Sequence, residues 1–167
     1  KAEGAEVGDS LVEDDMLATA RAIARQASAS GVRLVIPSDA VIADRFAADA
    51  DHRIVLSRAI PAGWRMMDVG PRTVEEIAPL IRDARTVLWN GPMGVFELAP
   101  FAAGTLAVAR ALAECDGTTI AGGGETVAAV DEAGVASKLS HVSTGGGATL
   151  EFLEGRTLPG VAALQDR

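Results

Sequence analysis

Two stretches decide how this chain folds: Thr118-Thr-Ile-Ala-Gly-Gly-Gly-Glu-Thr-Val-Ala-Ala-Val130 and Ser140-His-Val-Ser-Thr-Gly-Gly-Gly-Ala-Thr-Leu-Glu151. Each runs from a short β-rich segment into three consecutive glycines and then into residues that favour helix. A third stretch has the same form: Thr86-Val-Leu-Trp89 leads into a Gly/Pro turn between Gly91 and Gly94. Strands that alternate with helices build a parallel sheet covered by helices. Ligands of such sheets sit at the carboxyl ends of the strands. The turns at 90–94, 122–124 and 145–147 are therefore expected to open on one edge.

Outward from these stretches the pattern continues. Ser10-Leu-Val-Glu13 reads as a capping box opening a helix to about Ser30, with Met16, Ala20, Ile23, Ala24 and Ala27 on one face. Gly31 ends that helix. Arg33 to Pro37 reads as a short buried strand, and Ala40–Ile42 and Arg53–Leu56 as two more. Thr73-Val-Glu-Glu76 is a second capping box, starting a helix that contains Pro79. Pro100 suits the first turn of a helix in which Phe101, Thr105, Val108 and Leu112 share a face. Helices are also expected over 125–132 and 148–154.

The 167 residues suffice for one domain with a core and are few for two. A hydrophobic fraction of 49% with 23% charged residues belongs to a soluble globular chain. No apolar run approaches the roughly 20 residues of a membrane span, and the acidic start does not resemble a signal peptide. The net charge of −8, without a basic tract, argues against nucleic-acid or anionic-membrane partners. Cys115 is the one cysteine, and no metal-binding spacing of Cys or His is present. A cytoplasmic location is expected. The chain starts at Lys1 rather than Met, and is expected to start partway into a longer parent.

Glycines at a strand-to-helix turn let the backbone approach a phosphate, and the first N–H groups of the following helix point at it. Two triple-glycine turns on one edge thus suggest a polyphosphate, although glycines also simply permit tight turns. Neither GxxxxGK[ST] nor GxGxxG occurs, so P-loop enzymes and dinucleotide-binding dehydrogenases are unsupported. Glu125 sits where it would repel phosphates unless Mg²⁺ lies between; a helix-start acid favoured by the dipole is the alternative. Asn90 is placed to bond a ligand or cap a turn, and Glu97 to bond a ribose hydroxyl or only water. His52 reads as a surface residue, His141 as a satisfied core or edge residue, Cys115 as inert, and Trp64 and Trp89 as packing residues.

Val87-Leu-Trp-Asn-Gly-Pro-Met-Gly-Val-Phe-Glu97 resembles a signature of the phosphoglycerate kinases. So do Ile120–Val130, Leu139–Glu151, Leu158-Pro-Gly-Val-Ala-Ala-Leu164, Val7-Gly-Asp-Ser-Leu-Val-Glu-Asp14 and Asp68-Val-Gly-Pro71, in order along essentially the whole chain. The expected fold class is α/β, a Rossmann-like three-layer arrangement with a parallel sheet and helices on both faces. The resemblance implies that residues 1–167 are part of the C-terminal, nucleotide-binding domain of a two-lobed kinase. The lobe that holds phosphoglycerate is missing, as are the first strands of this lobe and its phosphate-binding lysine. The implied reaction is Mg²⁺-dependent phosphoryl transfer between 1,3-bisphosphoglycerate and ADP, giving 3-phosphoglycerate and ATP in glycolysis. The full-length parent is expected to be monomeric and the isolated chain inactive, or at most a nucleotide-binding module.

By the same resemblance Met66, Asn90, Pro92, Glu97, Gly123, Gly124, Glu125 and Thr126 belong to the nucleotide site, with Glu97 on the ribose. Glu125 would meet Mg²⁺, and Gly124, Gly145, Gly146 and Gly147 would present N–H groups to the transferring phosphoryl. Two positions depart from the family pattern. Glu125 stands where Asp is usual, and Arg65-Met66-Met67 replaces a small, glycine-containing stretch near the adenine.

Overall fold

The computed structural model describes residues 1–164. In chain order its elements are β1 (Glu6–Val7), α1 (Leu17–Ala29), β2 (Asp39–Ala43), β3 (His52–Leu56), β4 (Ala59–Ile60), β5 (Arg65–Val69), α2 (Pro71–Arg82), β6 (Thr86–Asn90), α3 (Ala103–Ala113), β7 (Thr118–Gly122), α4 (Gly124–Glu132), β8 (His141–Ser143), α5 (Gly146–Leu153) and α6 (Pro159–Ala162). Short 3₁₀ turns occupy Asp14–Met16, Ala99–Phe101 and Ala136–Lys138. The chain divides into two compact units: Lys1–Pro79 with Met93–Ala107, and Leu80–Pro92 with the residues from Val108 on.

The second unit holds the parallel sheet that the sequence leads one to expect. β6, β7 and β8 pair in parallel in that order, with Trp89 beside Ala121 and Ala121 beside Val142. Their carboxyl ends therefore share an edge, and each ends at its glycine turn. α4 packs on β7 and β8. Its inward residues Thr126, Ala129 and Val130 are buried, as is Ala121 on β7. Cys115 is structural: its thiol donates to the Ala84 carbonyl and accepts from the Gly117 N–H, both at 3.3 Å. His141 is exposed on β8, the edge strand.

In the first unit the sheet is antiparallel, in the order β3–β2–β5, with a register shift between Val41 and Ile42. β1 and β4 form a separate parallel pair. Ala40, Ile42 and Ile60 are packed by Val55, Trp64 and Met66; a second cluster joins Ala43, Ala50, Met67 and Phe101. Trp64 is also covered by the Arg53 guanidinium, 4.3 Å from the ring centre. His52 is exposed, its ring edge-on to Phe101.

Four local expectations are corrected here. Ser10 does not cap α1: its hydroxyl accepts the Met66 N–H at 2.9 Å, and the helix begins only at Leu17. No residue of α1 is buried, and Ile23 remains 52% exposed. Residues 33–37 form no strand and pair with none of the described strands; Leu34 and Ile36 stay exposed. Thr73 does not cap α2, which starts at Pro71. Its hydroxyl donates to the Asp39 carboxylate at 2.7 Å, and Asp39 also accepts the Thr73 and Arg72 N–H groups. The acceptor for this helix start thus comes from β2 rather than from the capping box. Pro100 lies in the preceding 3₁₀ turn and not in α3. Phe101, Thr105, Val108 and Leu112 are all buried as expected.

Candidate functional site

The edge where β6, β7 and β8 end is built by two glycine turns, each leading directly into a helix. β7 stops at Gly122, and Gly123 turns at φ +99°, a conformation that disfavours any side chain. α4 then starts at Gly124, and its first intrahelical bond runs from the Val127 N–H to the Gly123 carbonyl. The N–H groups of Gly124, Glu125 and Thr126 precede that bond and lie at the positive end of the helix dipole. α5 repeats the arrangement: Thr149 bonds the Gly145 carbonyl, so Gly146, Gly147 and Ala148 are its leading N–H groups.

The two turns are in contact. A Cβ added to Gly146 would lie 2.6 Å from Gly123 Cα and 2.9 Å from Asn90 Oδ1. A Cβ on Gly123 would meet the same Asn90 oxygen at 3.2 Å. The Asn90 carboxamide therefore lies against both turns from the end of β6. Ser143 closes the group: its carbonyl accepts the Gly123 N–H at 3.0 Å, and its hydroxyl accepts the Gly145 N–H at 3.2 Å. Sequence reasoning passed over Ser143; the hydroxyl two residues before the second glycine turn was the available signal.

Of the predicted residues, Asn90, Gly123, Gly124, Glu125, Gly145, Gly146 and Gly147 come together on this edge. Thr126 is present, but its buried hydroxyl accepts the Gly91 N–H at 2.7 Å and so ties the turn after β6 to α4. Pro92 is half-buried in that turn. Glu125 is exposed on the first turn of α4. Among the described residues no three His, Cys, Asp or Glu side chains gather to hold a metal. Met66 and Glu97 belong to the first unit. Met66 packs beside Ile42 and Ile60, and Glu97 is exposed in the segment between β6 and α3.

Chemically, this edge offers N–H donors from two adjoining helix starts, one amide side chain and one exposed carboxylate. Such a surface binds anionic oxygens without a basic side chain.

The family model described as "Phosphoglycerate kinase" matches residues 1–156. The chain is 58% identical over 165 residues to the phosphoglycerate kinase of Roseiflexus sp. (strain RS-1), covering 99% of this chain and 42% of that protein. It is 60% identical over 168 residues to the phosphoglycerate kinase of Chloroflexus aurantiacus (strain ATCC 29366 / DSM 635 / J-10-fl), with the same coverage. The solved phosphoglycerate kinase of Coxiella burnetii superposes with a TM-score of 0.91 at 40% identity, over 96% of this chain and 42% of that one. This chain thus spans less than half the length of the relatives it matches.

Proposed function

The chain belongs to the phosphoglycerate kinase family, and on that premise we propose that its paired glycine turns hold the phosphate groups of an adenine nucleotide. In this reading residues 1–167 are part of the nucleotide-binding lobe of a two-lobed kinase. The whole parent moves a phosphoryl group from the acyl phosphate of 1,3-bisphosphoglycerate to ADP, giving 3-phosphoglycerate and ATP. The observation that carries it is the contact between the two turns: Gly146 lies so close to Gly123 and Asn90 that only a glycine fits.

In this reading the two turns divide the labour. Gly124, Glu125 and Thr126 offer N–H groups to the nucleotide's phosphates, and those of Gly146, Gly147 and Ala148 serve the transferring phosphoryl. Phosphoryl transfer asks an enzyme chiefly to align reactants and stabilise oxygen charge. Donors fixed at helix starts do this without reorganising. Asn90 spaces the turns and offers its amide. Mg²⁺, when bound with the nucleotide, neutralises phosphate charge. Glu125 fits a site of that kind, since magnesium sites often combine one or two carboxylates with substrate phosphates. Without the cation, the same carboxylate repels the nucleotide.

We place the parent in the cytoplasm, as a monomer; no helix among the described residues is long and apolar enough to cross a membrane. The chain alone is expected to bind nucleotide without turning over phosphoglycerate. Calorimetric titration with ADP and Mg²⁺ tests this. Saturable binding, weakened about tenfold or more by Glu125→Ala and dependent on Mg²⁺, is the expected result. A folded chain that binds no ADP at millimolar concentration overturns the reading for this piece.

A further inference from the structure

β5 carries a carboxylate for which the phosphate site has no use. Asp68 is fully buried. One oxygen accepts the Val69 N–H at 2.8 Å; the other accepts the Gly104 N–H at 2.7 Å, in the first turn of α3. The side chain fills space left by two glycines, since a Cβ on Gly94 or Gly104 would overlap its carboxylate. The same segment is fastened twice more. The Val95 N–H donates to the Met67 carbonyl at 2.8 Å, and Thr105 Oγ1 accepts the Met93 and Gly94 N–H groups at 3.0 and 3.2 Å. Residues 93–104 therefore form a strap laid over a buried carboxylate, and the strap carries Glu97.

Two N–H groups are thin compensation for a carboxylate removed from water. The groups facing it are Val69, Gly94, Gly104, the Met67 carbonyl and, across the strand pair, Val41. None of these titrates. The acid of β2, Asp39, is engaged by Thr73 and Arg72. Burial raises the Asp68 carboxyl to about 6 against the opposing pull of the Gly104 and Val69 bonds. Lifting the strap would return the carboxylate to water and to its ordinary acidity near 3.8. The closed form then holds its proton more tightly than the open form, so opening becomes easier as pH rises.

We propose that Asp68 is a positioning residue for the 93–104 strap: through Gly104 it fixes where the strap lies, and through its preference for water it sets how readily the strap lifts and carries Glu97 with it. That Glu97 contacts nucleotide rests on the function proposed above; the opening of the strap does not.

The test is amide hydrogen exchange at Gly104 and Val95 in the whole, ligand-free chain, corrected for intrinsic rates, between about pH 5 and pH 7.5. Acidities near 3.8 in the open form and 6 in the closed form predict that protection falls about tenfold over that range. Asp68→Asn removes the fall, and Glu97→Gln leaves it in place. Protection that is flat or rising in the unmodified chain overturns the proposal, as does a fall that survives Asp68→Asn. Should the Asn variant not fold, the Asp68 carboxyl carbon of the unmodified chain is titrated by NMR. A midpoint matching the exchange profile supports the proposal, and a different midpoint overturns it. No nucleotide enters these measurements, so failure of the strap and failure of the nucleotide reading are told apart.

Discussion

The two units solve the same problem, satisfying the N–H groups at a helix start, in opposite ways. In the unit built on β6, β7 and β8, the starts of α4 and α5 follow directly on their own glycine turns and leave leading N–H groups facing the strand ends. In the unit built on β2, β3 and β5, the starts of α2 and α3 are served by carboxylates from distant strands. Asp39 takes the Arg72 and Thr73 N–H groups, and Asp68 takes that of Gly104. Helix starts already bound to protein carboxylates hold structure together. Those left without side-chain caps are free to meet a ligand's charge.

The largest effect expected from breaking this contrast is at Gly146. Gly146→Ala forces the two glycine turns apart and should cost about 1–3 kcal/mol of stability, as overpacking does, along with most nucleotide affinity. Gly147→Ala, where a Cβ meets nothing within 4 Å, should instead leave stability unchanged or raise it by about 0.5–1 kcal/mol. Urea unfolding of the two variants measures both. Equal effects would erase the claimed close contact.

Asp39→Ala comes next. It strips α2 of its acceptor and leaves the Thr73 hydroxyl and two N–H groups without it, for an expected loss of about 1–3 kcal/mol. Burial pushes the Asp39 carboxyl up, but the bonds from Thr73 and Arg72 outweigh burial and hold it below its ordinary value. Its contribution is therefore present at neutral pH, persists down to about pH 4, and is lost as pH falls through the lowered value. The deficit of the Ala variant should shrink in acid.

Asp68 behaves with the opposite sign. Its raised value means the folded chain binds the extra proton, so stability falls as pH rises from about 4 to about 6 and is level above. The full span is at most about 3 kcal/mol. Comparing unfolding midpoints of the unmodified chain and Asp68→Asn at pH 5 and 7.5 should show the slope only in the former.

Glu125→Ala should cost little stability. An exposed acid in the first turn of α4 contributes about 0.3–1 kcal/mol at low salt. Binding of ADP with Mg²⁺, by contrast, should weaken markedly. A large stability loss with unchanged binding would reverse the roles assigned to the two units.

What the sequence disclosed tracks the same division. β6, β7 and β8 with their glycine turns were legible because each strand, turn and helix is contiguous, and Asn90, Gly123 and Gly146 sit where the pattern puts them. Much of the other unit was hidden because its determinants are far apart in the chain. Ser10 and Thr73 match capping boxes, yet their hydroxyls go to Met66 and Asp39, 56 and 34 residues away. Leu34-Val35-Ile36 has the composition of a strand but pairs with none of the described strands. Nothing local distinguishes Asp68 from a surface acid; only the tertiary fold buries it beneath Gly94 and Gly104.

The paired glycine turns are the proposed anion site. The most direct test of that proposal is an amide NMR titration of the chain with ADP and Mg²⁺. The predicted result is saturable shifts concentrated at Gly124, Glu125, Thr126, Gly146, Gly147 and Ala148, lost in Gly146→Ala. Saturable shifts that spare both helix starts, in a folded chain, would contradict it.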